Sequence, residues 1–241
     1  MSSRATRPSG TPLWVQIETT LRDDILKRRL HGRLPNEQAL AERFEVNRHT
    51  VRQAVQALQA KGLVRIEHGR GTFVQEEMID YRLGRSSRFS HSLASQHLVS
   101  DVAVQSWAEI AAAGDVAALL GVEPGTALLR VESHDLADGR VVSVCTQYFP
   151  LPRFAGFIEV YGACGSAAEA FARFGIGAFS RTMSRISARL PRPEVARALQ
   201  QGKTQPVLYV ESVYADAAGT PIEYGITRFG GDAVQIVVEP D

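Results

Sequence analysis

The chain has 241 residues, 44% apolar and 22% charged, the balance of a soluble globular protein with one large domain or two ordinary ones. No stretch reaches the apolar length of a membrane span, and the first ten residues, "MSSRATRPSG", are a polar leader expected to be disordered rather than a signal core. Two cysteines, Cys145 and Cys164, make neither a disulfide framework nor a metal site, so a reduced cytoplasmic protein without cofactor is expected.

The net charge of +1 hides an asymmetry. Residues 1–75 hold 13 Lys+Arg against 7 Asp+Glu, a net of +6, while the remainder holds 14 against 19, a net of −5. A basic front on an acidic body points to a polyanion as the partner of the front.

After the leader, Leu13, Ile17, Leu21 and Ile25 recur every four residues, one stripe of an amphipathic helix. Gly32 and Pro35 break the pattern, and Asn36 can cap a second helix that turns Leu40, Ala41 and Phe44 inward. The turn "EVN" follows, with Asn47 as the cap of a third helix buried through Val51, Ala54, Val55 and Leu58. Arg48, His49, Arg52, Gln53 and Gln56 are left on its outer face. "VRIEHGRGTFV" then alternates around a basic, glycine-rich tip, His68-Gly69-Arg70-Gly71, as a hairpin does.

Three helices and a hairpin, with a short turn before the third helix, form a winged helix-turn-helix plan over residues 11–75. Arginine in the first turn of a groove-bound helix can donate two bonds to guanine O6 and N7, and Thr50 with the capped N–H groups suits a phosphate oxygen. An exposed Arg/Gln face is by itself most often plain solvated surface. The ordered co-occurrence of two caps, a short turn, a basic third helix and a basic wing favours DNA. The segment "PLWVQIETTLRDDI…GRLPNEQALAERFEVNRHTVRQAVQALQAKGLVRIEHGRGTFV" resembles the DNA-binding domain of the GntR family of bacterial transcription regulators. The resemblance implies operator contacts from Arg48, Thr50 and Arg52 and a wing contact from His68 and Gly69; His49 and Arg70 adjoin these. Gln38 stands where the family usually carries arginine or asparagine in a DNA contact, and Glu45 stands where it usually has glycine in the turn.

Residues 76–85 are polar and poorly periodic and are expected to form a linker to a second domain, 86–241. "TALLRVESHDLADGRVVSVCTQYF" predicts a hairpin turning at Asp138-Gly139, "SAAEAFARFG" a helix ending at Gly175, and "FSRTMSRISARL" a half-exposed strand. "PEVARALQQG" predicts a helix, "PVLYVESVYADAAGTPIEYGITRF" another hairpin, and "AVQIVVE" a last strand. "VAALLGVEPGTALLRVES" from Val116 and "VARALQQGKTQPVLYVES" from Val195 are offset by 79, so one helix-strand-hairpin unit occurs twice. Two such units would pair into one antiparallel sheet with helices on one face, an α+β domain.

This half resembles the effector-binding (UTRA-like) domain of the HutC branch of the GntR family, whose fold is shared with chorismate lyase. Within that branch "DYRLGRSSRFSHSL", "SRISAR" and "PIEYGITR" look like regulators of phosphonate utilisation. The resemblance implies a small polar effector, often phosphorylated in the family, held by Arg88, Ser90, Ser166, Arg185, Glu223 and Arg228, with Arg130 on the first hairpin's leading strand. Such arginines can hold phosphate or phosphonate oxygens in bidentate fashion, the serines add neutral donors, and Ser166 stands at a helix start. On the return strand Cys145 stands near the place where many sugar-phosphate-sensing relatives carry glutamate; a small buried hydrophobe is the plainer reading of it. Trp14 and Trp107 read as packing residues.

The resulting expectation is a dimeric, effector-gated regulator, with repression relieved by a small anion that orders the loop Arg88 to Leu93. The alternative is a chorismate-lyase-like enzyme fused to a DNA-binding domain, with Arg185 and Glu223 as anion clamp and general acid. No Ser-His-Asp order, metal-ligand spacing or Walker-type loop supports a particular reaction.

Overall fold

The computed structural model describes residues 10–27, 29–67, 69–75, 78–85, 88–151 and 153–239. The chain divides into two compact units, Met1–Glu77 and Met78–Asp241. Apart from Gly10, the leader lies outside the described residues.

In the first unit α1 (Leu13–Leu26), α2 (Glu37–Phe44) and α3 (Arg48–Ala60) are followed by β1 (Val64–Glu67) and β2 (Gly71–Val74). The apolar stripe of each helix meets in one core: Ile17, Leu21 and Ile25 from α1, Leu40 and Ala41 from α2, and Val51, Ala54, Val55 and Leu58 from α3. Both predicted caps form. Asn36 Oδ1 accepts the Ala39 N–H at 2.8 Å, and Asn47 Oδ1 accepts that of Thr50 at 2.9 Å, satisfying donors that a helix start leaves open. Glu45, between α2 and α3, has φ 54° and is left-handed. A non-glycine residue carries the tight turn there, at a steric cost of about 1–2 kcal/mol. β1 and β2 pair antiparallel from Val64↔Val74 to Glu67↔Gly71, and Arg33 makes an isolated antiparallel bridge to Phe73.

In the second unit the stretch expected as a linker holds β3 (Ile79–Arg82), followed by α4 (Phe89–Ser95). Arg88 to Leu93 is therefore the start of a helix and not a loop. Next come β4 (Ser100–Ala111), α5 (Gly114–Leu120), β5 (Ala127–Ala137), β6 (Arg140–Pro150), α6 (Phe157–Cys164) and α7 (Ala167–Arg173). The chain continues through β7 (Phe179–Arg189), α8 (Pro193–Ala198), β8 (Val207–Asp216), β9 (Pro221–Gly230) and β10 (Val234–Val237). Six strands form an antiparallel sheet in the order β4-β5-β6-β9-β8-β7. The β5–β6 hairpin turns at Asp138 (φ 49°) and Gly139 (φ 79°), a doubly left-handed turn that matches the twist of the strands.

The repeat is larger than its sequence signal. It is strand-helix-hairpin, β4-α5-β5-β6 answered by β7-α8-β8-β9, and the strand order is the same from either edge, which places a pseudo-two-fold between β6 and β9. β10 leaves the sheet and pairs in parallel with β3, Val234↔Ile79 to Val237↔Arg82. Helices cover both faces rather than one. α6 and α7 pack Phe157, Tyr161, Ala170 and Phe171 against Leu129, Val131 and Phe149, and α4 packs Phe89 and Leu93 against Phe229 on that same face. On the other face α5 sets Ala117 and Leu120 on Leu128, Val213 and Tyr224, and α8 sets Val195 and Leu199 on Val207. Trp107 on the edge strand β4 remains 53% exposed, so it is not the packing residue expected.

Candidate functional site

The outer face of α3 carries Arg48, His49 and Arg52 fully at the surface, with Thr50 half-buried and its hydroxyl 3.0 Å from Asn47 Oδ1. The face is organised by α2. Arg52 makes a two-pronged bond to Glu37 at 2.9 and 2.7 Å, and Arg48 Nε donates to Gln38 Oε1 at 2.5 Å. The Arg52 bond holds the Glu37 carboxyl below its ordinary range. Gln38, exposed at the surface, is thereby a spacer for Arg48 and in turn donates to Glu42. On the wing Gly69 is exposed with φ 73°, and Arg70 pairs with Glu67 while its guanidinium lies 5.8 Å from the Phe73 ring. His68 lies outside the described residues. One trough touches Asn36 to Gln38, Arg48 and Gly69, so the start of α2, the start of α3 and the wing share a surface. Arg33 also lines it; a Cβ on Gly71 would sit 2.9 Å from Arg33 Nε, so glycine is what lets this further cation lie across the wing.

The second unit contains a cavity of about 100 Å³ between α4 and α6–α7, floored by β5, β6, β9 and β8. That is below the several hundred Å³ of drug-sized pockets and fits a metabolite of a few heavy atoms. Four of the residues singled out in sequence line it: Arg88, Ser90, Ser166 and Glu223. Arg88 Nη2 donates to Glu223 Oε2 at 2.7 Å, and its guanidinium lies 4.3 Å from the Tyr214 ring, 4.7 Å from Phe179 and 5.2 Å from Phe171. Burial opposes the Arg88 charge, but Glu223 and Tyr214 carry its pKa upward, so it remains a cation. Its buried Nε has no hydrogen-bond partner among the described residues. Glu223 Oε1 accepts from Gln147 Nε2 at 2.9 Å, and Gln147 Oε1 accepts from the Tyr161 hydroxyl at 3.0 Å. Ser166 caps α7, its Oγ accepting the Glu169 N–H at 3.3 Å.

Arg130, Arg185 and Arg228 do not reach this cavity. Successive side chains of a strand alternate between faces, and each of the three has neighbours on the cavity side: Leu129 and Val131 in the core under α6–α7, Ser184 bonded to the lining Ser212, and the lining Thr227 and Phe229. On the opposite face Arg130 pairs with Glu132 at 3.4 Å, Arg228 donates to Thr146 Oγ1 at 3.0 Å, and Arg185 is exposed opposite Glu211 in the β7–β8 register.

Sequence reasoning missed Asp135, Gln147 and Arg181. Asp135 Oδ2 accepts from Ser143 Oγ at 2.5 Å and from Cys145 Sγ at 3.2 Å. Burial pushes the Asp135 carboxyl above its ordinary range and the Cys145 thiol well above its own. Cys145 is buried as expected, yet it lines the cavity as a polar group. Arg181 backs the lining from behind, donating to the hydroxyls of Tyr81 and Tyr214 and to Gly84 O at 2.9 Å, while its own N–H bonds Arg85 O at 2.6 Å. It therefore fastens the segment around β3 to the sheet.

Among the described residues no group of three or more His, Cys, Asp or Glu could hold a metal ion, and no helix is long and apolar enough to cross a membrane.

Comparison with known proteins joins both halves. The model for "Bacterial regulatory proteins, gntR family" matches residues 13–74, and the UTRA domain model matches residues 95–235. Tyr81, Arg88 and Ser90 precede the UTRA match, so part of the cavity wall comes from the connecting segment. The chain is 38% identical to the uncharacterized HTH-type transcriptional regulator RB1450 of Rhizobium meliloti, over 97% of each chain. It is 31% identical to the HTH-type transcriptional repressor PhnF of Mycolicibacterium smegmatis, over 85% of this chain and 82% of that one. The crystal structure of PhnF from Mycobacterium smegmatis superposes with TM-score 0.66 at 28% identity, covering 93% of this chain and 99% of that one. The two domain matches and the relatives named as transcriptional regulators agree: the chain belongs to the GntR family of bacterial transcription regulators, in the branch that carries a UTRA effector domain.

Proposed function

We propose that the chain is a homodimeric repressor that binds a pseudo-palindromic operator through α3 and the wing, and releases it when a small anionic metabolite, such as a phosphonate or phosphate ester, fills the cavity of the second unit. Arg48, His49, Thr50 and Arg52 read or anchor the major groove, with Gln38 setting the position of Arg48. Gly69 and Arg70, together with His68, approach the flanking backbone or minor groove. Two copies related by a two-fold axis would set the reading helices at half-site spacing.

The observation that carries the gating is the position of Tyr81 and Arg88. Both line the cavity, both lie within the first eleven residues after the boundary between the units, and Arg181 ties the intervening Gly84 and Arg85 to the sheet. A ligand bonded to Arg88 acts directly on the segment that leads to the reading head. Differential contact in two conformations is what shifts their populations, typically by about 1–3 kcal/mol or roughly 5–150-fold in affinity. The catalytic alternative gains no support from the lining, since Arg185, its anion clamp, lies on the face away from the cavity and Glu223, its general acid, is held by Arg88 at 2.7 Å.

The test has two steps with the full chain. A thermal-shift screen of phosphonates, phosphate esters and small carboxylates finds the ligand, because binding to the native state raises its stability. Operator selected from random DNA is then titrated with and without it. Arg52→Ala should weaken specific binding by about 1–3 kcal/mol, and wild-type affinity should fall steeply with salt. Unchanged affinity in Arg52→Ala, or no ligand effect on operator binding, would defeat the proposal.

A further inference from the structure

The charged lining of the cavity is one cation, Arg88, against two acids, Glu223 and Asp135. Arg181 adds a second cation behind the wall, its terminal nitrogens donating to Tyr81, Tyr214 and Gly84. The two acids differ in what they still lack. Glu223 is 2% exposed and has both oxygens bonded, to Arg88 and to Gln147. Asp135 takes both of its bonds, from Ser143 and Cys145, on Oδ2, and Oδ1 accepts none among the described residues. Arg88 likewise keeps Nε without a partner. Two residues of the lining thus keep an unfilled group, a donor buried in Arg88 on the α4 side and an acceptor in Asp135 on β5.

A purely anionic ligand answers only the first. Arg88 is already paired with Glu223, and a purely anionic ligand would set its charge against the buried Asp135 carboxyl while leaving Asp135 Oδ1 without a donor. A ligand with an anionic group at one end and a protonated amine at the other answers both. The anion takes the Nε edge of Arg88 with Ser90 and Ser166 in the same lining, and the ammonium donates to Asp135 Oδ1.

We propose, on the reading that this cavity is the effector site, that the effector is a small zwitterion whose ammonium group is recognised by Asp135. In the empty cavity burial favours the protonated carboxyl of Asp135; an ammonium partner reverses that preference and turns Asp135 into a charged acceptor. A hydrogen bond between two charged groups separates a ligand from its amine-free counterpart by roughly 10–150-fold in Kd.

Matched probes that differ only in the amine test this by calorimetry on the full chain. 2-Aminoethylphosphonate is compared with ethylphosphonate and 2-hydroxyethylphosphonate, and β-alanine with propionate. The aminated member of at least one series should bind more than about tenfold tighter, and Asp135→Asn should erase that preference while keeping the affinity for the amine-free member. The wild-type comparison stands even if the variant does not fold. Equal or tighter binding of ethylphosphonate, propionate or the hydroxyl analogue overturns the zwitterion while leaving an anion-binding effector site. Preference for the amine that survives in Asp135→Asn overturns the role of Asp135. Absence of binding by every probe, together with no thermal shift from any phosphonate or carboxylate, defeats both this inference and the effector reading beneath it.

Discussion

Replacing Arg88 by alanine should be among the most damaging single changes in the second unit. Its guanidinium is 14% exposed and pairs at 2.7 Å with Glu223, whose side chain is 3% exposed. Removing the cation leaves a carboxylate enclosed by Gln147, Tyr161 and Tyr214 with its principal partner gone. Breaking a buried pair from one side costs about 3–5 kcal/mol, because the surviving charge stays desolvated. The lost contacts with the Phe171, Phe179 and Tyr214 rings add to this. For a unit of this size each kcal/mol moves the midpoint by about 2–4 °C, so a drop of roughly 6–20 °C is expected in the transition of the second unit. Urea denaturation followed by near-ultraviolet circular dichroism gives the free energy directly. Arg88→Met combined with Glu223→Gln removes both charges and should recover most of the loss, since a neutral pair carries no stranded ion. A loss below about 1 kcal/mol for Arg88→Ala would mean that Glu223 is solvated like a surface carboxylate, and the closed-cavity reasoning would fall with it.

Arg185→Ala, by contrast, should leave ligand affinity and stability nearly unchanged, because the side chain is exposed on the face away from the cavity; calorimetry showing lost binding would contradict that placement. Asp135 gives a pH signature. Its folded carboxyl titrates above the ordinary range, so the native state keeps a proton that the unfolded chain gives up. The stabilisation is complete below the unfolded pKa and is lost as pH rises through the folded one; Asp135→Asn should abolish this decline in urea titrations run across the acid range, and an unchanged profile would assign the decline elsewhere. In the reading head Glu45→Gly removes the strain of a left-handed glutamate but adds freedom to the unfolded chain, and the two should leave the first unit unchanged or stabilised by up to about 1 kcal/mol. Clear destabilisation in thermal melts would show that Glu45 contributes through its side chain.

The reading head was legible almost residue by residue because its signals are local. Asn36 and Asn47 cap within three residues, and a four-residue stripe identifies each buried helix face. In the second unit the hairpins and the repeat were visible, whereas the first strand of each repeat was recognised only at β7. β4 is an edge strand whose alternation is broken by a bulge between Val104 and Ser106, so no clean pattern marks it. The bulge between Arg181 and Met183 has a larger effect. Without it Arg181 and Arg185 would share a face; with it Arg181 turns to the cavity side and Arg185 away. Nothing in "RTMSRISAR" announces that slip. The separation of Glu223 from Arg228 was legible, since an odd difference of five along one strand places two side chains on opposite faces. Asp135 was hidden by a second bulge, which shifts its partner across the predicted hairpin from Val142 to Ser143, and Gln147 because it meets Glu223 and Tyr161 only through packing of distant elements.

The parallel pairing of β3 with β10 gives the protein a direction in time. Among the described residues the first unit's core is drawn from Ile17 to Val74, so this unit can fold before the rest of the chain is made. β3, the strand that leaves the joint, waits for a partner made some 150 residues later, Val234–Val237. During synthesis a chain thus passes through a stage with a finished reading head and an untied sensor. A chain cut short before Val234 would keep the first unit's core and lose the strand that β3 pairs with, so on the proposed function the last few residues tie the sensor and not the reading head.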